Sequence, residues 1–122
     1  MTFIINEKLP SLNELITANR YNRYKGAAMK KNVDTLIGYY ITLAKINKEI
    51  WAIDKPCIIR IEWHERTKKR DVDNIESSVK FICDALQQNG IIINDSQKYV
   101  KQIYHQVIND KSDFVKVIIE EI

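Results

Sequence analysis

The residues of this chain best suited to chemistry are those at 70–74 (RDVDN), which directly follow a basic segment at 66–69 (RTKK). In an extended chain, Asp71 and Asp73 would point to the same side because they are two residues apart. Carboxylate oxygens suit Mg²⁺, and the neighbouring lysine and arginine side chains suit phosphate. The segment therefore predicts a metal-dependent enzyme that acts on nucleic acid. The alternative is a charged surface turn between a strand and a helix, in which the acids and bases neutralise one another.

A third carboxylate, Asp95, follows the next predicted helix. A strand-helix-strand return can bring Asp95 to the same edge of the sheet as Asp71 and Asp73. Three convergent carboxylates could hold one or two Mg²⁺ ions, with Mn²⁺ as an alternative metal. Such ions would activate a water and stabilise the leaving oxygen during attack on a phosphodiester. Each acid also has a structural alternative, since Asp73 and Glu76 have capping-box spacing and Asp95 suits an ordinary turn.

Lys80 lies seven positions after Asp73. In a helix that starts at Asp73, the two residues would share one face about two turns apart. A lysine there could help to neutralise the charge of a phosphate in the transition state. Alternatively, Glu76, Lys80 and Asp84 form an i,i+4 ladder on the surface of the helix, worth about 0.2–0.5 kcal/mol per pair.

Basic and aromatic side chains alternate at 19–26 (NRYNRYKG), a segment that ends in a glycine. This composition can bind a phosphate backbone and stack on an unpaired base. It is equally compatible with a solvated connection whose two tyrosines pack onto the core. Together with the basic residues at 66–70, it supplies the predicted nucleic-acid contacts, which are Arg20, Arg23, Lys68, Lys69 and Arg70.

The chain has 122 residues, of which 45% are hydrophobic and 29% charged, and its formal net charge is +3. These values predict one globular domain over residues 1–122. No apolar run approaches the roughly 20 residues that span a bilayer, and the N-terminus has no signal pattern. We expect a cytoplasmic protein that contacts no membrane and uses no organic cofactor. Cys57 and Cys83 lie in apolar segments and are interpreted as reduced core residues without zinc-ligand spacing.

The hydrophobic pattern predicts the element order β-α-α-β-α-β-β. In the clearest strand, at 57–66, one face carries Cys57, Ile59, Ile61 and Trp63, while His64 falls on the polar face, where we expect it to be solvated. The other predicted elements are a strand at 2–5, a short helix after the capping box of Ser11 and Glu14, a long amphipathic helix at 27–47, a helix downstream of the aspartate pair that stops at Asn89-Gly90, and strands at 99–108 and 114–120. We therefore predict an α/β (α+β) fold with a small mixed sheet of about four to five strands and helices on one face.

The blocks that carry these predictions resemble one known family. RDVDN at 70–74, Lys80, DAL at 84–86 and GIIINDSQ at 90–97 are similar to the RusA family of Holliday junction resolvases. LPSLN at 9–13 and NRY at 19–21 resemble the N-terminal segment of that family, so the similarity covers nearly the whole chain. The resemblance implies a small homodimeric endonuclease with a RusA-like fold, of a type common in phages and prophages. Such an enzyme uses Mg²⁺ to place paired, symmetric nicks across a four-way DNA junction.

The resemblance also implies residue roles. Asp71, Asp73 and Asp95 would be the catalytic, metal-binding carboxylates, and Lys80 would be the active-site lysine. The interval before Lys80 is longer than in familiar members because it contains residues 75–78 (IESS). The helix is therefore either longer or begins later, with one of the two serines as its cap. Two other functions remain open: a branched-DNA-binding protein whose acids are structural, and a metal nuclease that cuts flap or duplex DNA.

Overall fold

The computed structural model describes the whole chain, residues 1–122. Its elements are, in order, β1 (Thr2–Ile5), α1 (Leu12–Tyr21), α2 (Arg23–Ile46), β2 (Cys57–Glu65), α3 (Val72–Glu76), α4 (Val79–Gln88), β3 (Val100–Asn109) and β4 (Phe114–Glu121). The strands form one mixed sheet of order β1-β4-β2-β3. Strand β4 runs antiparallel to β1 and β2, whereas β2 and β3 are parallel. This architecture confirms the predicted α+β fold with a small mixed sheet.

The hydrophobic core lies between the helices and one face of the sheet. Cys57, Ile59, Ile61 and Trp63 of β2 are each at most 2% exposed, and they belong to a cluster of 26 buried residues to which all four helices contribute. The intervening residues of β2 face away from this cluster, and among them Arg60 is exposed. The helices therefore cover one face of the sheet, as predicted, because only that face presents a continuous apolar surface.

His64 is buried rather than solvated, with 9% of its surface exposed. Its Nδ1 lies 2.7 Å from Oδ2 of Asp110, and its Nε2 lies 3.0 Å from Oε1 of Glu62. The ring stacks on Phe114, with 3.9 Å between the ring centroids. The prediction of a solvated histidine is wrong because the turn after β3 and the first residue of β4 cover this part of the polar face.

Residues 19–26 are helical apart from Asn22, so they do not form the solvated connection that was one of the two predictions. The N–H of Asn22 donates to the carbonyl of Ala18 at 3.1 Å, and its Oδ1 accepts the N–H of Lys25 at 2.7 Å. One residue therefore caps the end of α1 and the start of α2. The tyrosines do not pack onto the core, since Tyr21 is 76% exposed and Tyr24 is 73% exposed.

The helix predicted between the aspartate pair and Asn89 is divided into α3 and α4 by Ser77 and Ser78. The hydroxyl of Ser77 accepts the N–H of Leu12 at 3.1 Å, and the hydroxyl of Ser78 donates to the carbonyl of Pro10 at 2.6 Å. Both serines thus bond to the chain at the start of α1. Of the two alternatives for this interval, the longer helix is therefore wrong and the later start is confirmed, with Ser78 as the N-cap residue of α4, although its side chain makes no capping bond. The long-range bonds hold the chain in a tight turn between α3 and α4.

The chain after α4 makes a turn that is anchored in the core. Gly90 ends the helix as predicted, and its φ of +73° lies in the left-handed region that favours glycine. Ile91 and Ile92 are 0% and 3% exposed, so this turn is held against the core before β3 begins. Cys57 and Cys83 are buried free thiols. No helix here has the length and apolar character that crossing a bilayer would require.

Gly26 and Gly38 offer a matched test of how closely α1 and α2 approach. A Cβ at Gly26 would lie 3.1 Å from the Cα of Asn19 and would overlap that side chain, so Gly26→Ala should lower the free energy of unfolding by about 1–3 kcal/mol. Gly38 lies in the interior of α2 and its nearest neighbour would be Nδ2 of Asn89 at 3.6 Å, so Gly38→Ala should raise stability by about 0.5–1 kcal/mol. Urea unfolding of both variants measures the difference. Equal effects would show that the helix crossing does not depend on Gly26.

Candidate active site

The acidic segment is anchored to the end of β2 by a bidentate ion pair between Glu65 and Arg70. Arg70 donates from Nε to Oε1 at 3.0 Å and from Nη2 to Oε2 at 2.9 Å, and its Nη1 donates to the carbonyl of Leu9 at 3.0 Å. The two side chains are only 7% and 16% exposed. The guanidinium that we predicted as a DNA contact is therefore engaged inside the protein, where it fixes the start of the RDVDN segment.

Sequence reasoning missed Glu65, although the sequence contained a signal for it. Glu65 continues the buried face of β2 beyond Trp63, and it is itself 5% exposed. A carboxylate at an apolar position of a strand requires a cationic or hydrogen-bonding partner, because an unpaired buried charge is strongly unfavourable. Arg70, five residues later, is that partner.

Asp71 and Asp73 both lie at the start of α3, and both are exposed. Asp71 is the N-cap residue, with extended backbone and no capping bond from its side chain. Asp73 is already in the helix, so the same-side argument for two extended residues does not apply, and the predicted capping box with Glu76 is not formed. Oδ1 of Asp73 accepts the N–H of Asn74 at 3.0 Å.

The basic residues around this segment do not neutralise its two aspartates. The ion pairs of the protein include neither Asp71 nor Asp73, and neither Lys68 nor Lys69 takes part in one. The segment is therefore a charged surface connection between β2 and α3, as the alternative predicted, but its lysines and aspartates do not form ion pairs with one another. Both the carboxylates and the ammonium groups face solvent and are free to meet other ligands.

Asp95 lies in the exposed turn before β3, and its position differs from the predicted one. Because β2 and β3 are parallel, Val100 at the start of β3 pairs with Cys57 at the start of β2. The turn before β3 therefore does not belong to the strand end from which the acidic segment leaves. Asp95 instead lies near α4, close enough for its charge to act on Cys83. The pKa of the Cys83 thiol is raised to about 12, mainly by burial and further by the negative charges of Asp95 and Asp84.

Lys80 lies in the first turn of α4, and its ammonium group is held by Asp84. Its Nζ donates to Oδ1 of Asp84 at 2.9 Å, while Lys30 from α2 lies 3.6 Å from Oδ2 of the same carboxylate and 3.1 Å from Asp34. The hydrogen bond and charge of Asp84 raise the pKa of Lys80, and the charge of Asp95 raises it further. The predicted ladder is therefore half formed, since Glu76 does not join it. Lys80 is cationic and electrostatically coupled to Asp95.

The donor set available for a metal consists of exposed carboxylates only. No group of three or more His, Cys, Asp or Glu side chains is close enough together to hold a metal ion. Asp71 and Asp73 thus lie together at the start of α3, whereas Asp95 lies near Lys80 at the start of α4. The three acids do not form one cluster. Their oxygen chemistry fits a hard divalent cation, and no protein cation occupies them.

Arg20 and Arg23, the remaining predicted DNA contacts, are exposed near the junction of α1 and α2. The guanidinium of Arg23 lies 5.0 Å from the ring centroid of Tyr24 and donates to its hydroxyl at 3.1 Å. Arg20 takes part in none of the ion pairs. Their side chains are accessible to a polyanion, as are those of the lysines at 68 and 69.

The Glu65–Arg70 pair should contribute strongly to stability. Glu65→Ala leaves a mostly buried guanidinium without its counter-charge, and we expect a loss of about 3–5 kcal/mol in the free energy of unfolding. Chemical denaturation measures this loss. In a double-mutant cycle with Arg70→Ala, the double variant should lose less than the sum of the two single variants.

The exposed pair of Arg60 and Glu120 is the control. Its atoms are 3.2 Å apart, but the side chains are 44% and 49% exposed. Glu120→Ala should therefore cost less than about 1 kcal/mol. If Glu65→Ala is as mild as Glu120→Ala, the buried pair does not anchor the acidic segment.

Comparison with known proteins identifies the family of the chain. The family model for endodeoxyribonuclease RusA matches residues 2–120 of the 122-residue chain. No curated protein sequence matches the chain significantly. The matched range runs from β1 into β4 and includes the three aspartates, Lys80 and the Glu65–Arg70 pair. The chain therefore belongs to the RusA family of endodeoxyribonucleases, which resolve Holliday junctions.

Proposed function

We propose that this protein resolves four-way DNA junctions as a homodimer, by Mg²⁺-dependent hydrolysis of one phosphodiester in each of two opposed strands. The observation that carries the proposal is that the RusA family model covers Asp71, Asp73 and Asp95, and that all three carboxylates are exposed.

Asp71, Asp73 and Asp95 are the proposed ligands of Mg²⁺, for which Mn²⁺ is expected to substitute. When bound, such an ion supplies an activated water and stabilises negative charge on the phosphate. Mg²⁺ commonly binds through one or two carboxylates together with substrate phosphates, so a sparse protein donor set suffices. No further protein ligand is required.

Lys80 supplies positive charge for the phosphate oxygens. Because Asp84 and Asp95 raise its pKa, the ammonium form persists across neutral pH. A fixed cation aimed at developing phosphate charge stabilises the transition state more than the ground state. The exposed Arg20, Arg23, Lys68 and Lys69 are proposed to bind the backbone of the junction arms, and their contribution should weaken as salt concentration rises.

The proposed dimer follows from the symmetry of the substrate. A four-way junction has approximate two-fold symmetry, and two opposed strands must be cut to resolve it. A two-fold dimer presents two identical sites to such a substrate, whereas one chain presents a single site.

Asp73→Asn should lower the rate of Mg²⁺-dependent cleavage of a synthetic junction by more than about 100-fold, because it removes a charged group from the phosphate site. The amide oxygen can still accept the N–H of Asn74, so folding and junction binding should be preserved. Gel-based cleavage and binding assays measure both effects. Asp54, another exposed acid, provides the control, and Asp54→Asn should cut normally. Full activity of Asp73→Asn would exclude the metal-binding role.

Lys80→Met should reduce the cleavage rate at saturating DNA by about 100-fold through loss of transition-state charge stabilisation. Junction affinity should change little, because one of several cations is lost. Single-turnover kinetics separate the two effects. Lys31 on α2 is exposed and unpaired, so Lys31→Met is the matched control. If Lys80→Met cleaves like the control, the division of α3 from α4 has moved the lysine out of the site.

The two alternative functions are distinguished by a panel of substrates and metals. Junction, flap, duplex and cruciform-plasmid DNA are each tested with Mg²⁺, Mn²⁺, Ca²⁺ and no metal. A paired cut of the cruciform yields linear plasmid, whereas a single cut yields a nicked circle. Binding without cutting under every metal would identify a DNA-binding protein. Equal cutting of duplex and junction would identify a nuclease without structure selectivity.

A further inference from the structure

A groove of about 520 Å³ lies between α1 and the start of α2, a volume within the range of about 300–1,000 Å³ that ligand pockets occupy. The groove is not lined by any proposed metal ligand, by Lys80 or by any proposed DNA contact. The side chains on which its chemistry depends are Asn13, Thr17, Tyr21, Lys25, Met29 and Asn74. The groove therefore needs an explanation of its own.

The groove borders the candidate active site. Nδ2 of Asn13, on α1, donates a hydrogen bond to Oδ1 of Asn74, on α3. Asn74 directly follows Asp73, and the Asp73 carboxylate accepts the Asn74 N–H at 3.0 Å. A molecule in the groove would therefore lie one residue away from a proposed metal ligand.

The chemistry of the groove matches a nucleotide. Tyr21 is 76% exposed at its rim, and Nζ of Lys25 lies 4.7 Å from the centroid of that ring. An exposed aromatic ring can stack on a base, and the adjacent ammonium group can bind the phosphate of the same nucleotide. Met29 and the buried Ala18 provide apolar surface inside the groove.

The two asparagines add a polar edge. Once Nδ2 of Asn13 and Oδ1 of Asn74 have bonded to each other, Oδ1 of Asn13 and Nδ2 of Asn74 remain unpaired. One free acceptor beside one free donor is the combination with which amide side chains bind the edge of a base.

The groove contains one acid, Glu14. Its Oε1 accepts the N–H of Ser11 at 3.3 Å in the capping box of α1. It also lies 3.9 Å from Nη1 of Arg70, which is already paired with Glu65 and therefore offsets the charge of Glu14 only in part. Lys25 is the one cation that lines the groove, and it is the group available to an anionic ligand.

We propose that this groove receives one unstacked nucleotide of the junction, next to the phosphate that is cut. The base stacks on Tyr21 and its edge meets Asn13 and Asn74, while Lys25 binds the nucleotide's phosphate. The proposal rests on the proposed function, because a branch point presents bases whose stacking is already interrupted and which are extruded at low cost. The groove then determines which nucleotide lies beside the cut.

The test compares Tyr21→Ala with Tyr24→Ala. Both tyrosines are exposed on helices and each has a cation near its ring, but only Tyr21 lines the groove. The substrate is a mobile four-way junction whose branch point can present many sequences, and every cut is mapped at nucleotide resolution with Mg²⁺. Tyr21→Ala should lower the cutting rate at preferred positions by about 5- to 150-fold and flatten the distribution of cuts. Tyr21→Phe should restore the distribution, and Tyr24→Ala should leave it as in the wild type.

Asn13→Ala keeps the ring but removes one amide, so it should change which nucleotide is preferred. The groove proposal is overturned if Tyr21→Ala leaves the distribution of cuts unchanged, or if Tyr24→Ala alters it equally. If Asn13→Ala prefers the same nucleotide at the cut as the wild type, the proposed contact of Asn13 with the edge of the base is wrong. Failure of the proposed function gives a different result, namely no cutting of any junction by the wild-type protein.

Discussion

The charge of Glu65 must be balanced inside the protein, because this residue continues the apolar face of β2. Its bidentate bonds to Arg70 provide the balance and at the same time determine where the chain goes after the strand. The third contact of Arg70, to the carbonyl of Leu9, brings in the segment before α1. A buried ion pair is often no better for stability than apolar packing, but it tolerates few geometries. One interaction therefore determines the relative positions of the strand end, the start of α1 and the acidic segment.

Two serines extend the same connection. Ser78 is fully buried and bonds to Pro10, and Ser77 bonds to the N–H of Leu12. Together with Arg70, they satisfy three backbone groups in the four residues that precede and begin α1. No buried side-chain nitrogen or oxygen atom in the protein lacks a partner. The additional residues between Asn74 and Lys80 are thus accommodated as a hydrogen-bonded turn between two helices.

Features with a local cause could be predicted from the sequence. The alternation of β2 predicted its buried face, and the spacing of Ser11 and Glu14 predicted the capping box that starts α1. The sequence left open whether the helix before Lys80 is longer or starts later at one of the two serines, and local signals could not decide between these alternatives. Ser77 and Ser78 are compatible with a continuous helix, and the groups that interrupt it come from more than 60 residues away.

The residue types of the candidate site were visible in the sequence, but their arrangement was not. We expected Asp95 beside Asp71 and Asp73 because a helix returns the chain from one strand to the next, but the two ends of a strand are not equivalent. In a parallel pair, the start of the second strand lies beside the start of the first, so Asp95 does not join Asp71 through the sheet. Its closeness to Lys80 depends on the course of a turn with little regular structure. Glu65 could have been recognised, since a carboxylate in an apolar alternation indicates a buried partner.

The structure does not gather the three aspartates: Asp71 and Asp73 lie at the start of α3, and Asp95 lies in the turn before β3. Under the proposed function, bringing the three carboxylates around one cation would cost an ordering free energy. A bound phosphate would reduce this cost, since it provides ligands to the cation and holds the two segments together. Under the proposed function, metal and DNA would each raise the affinity of the protein for the other, to the same extent, as thermodynamic linkage demands. The dispersed acids would thereby make metal loading, and with it strand cutting, conditional on the substrate.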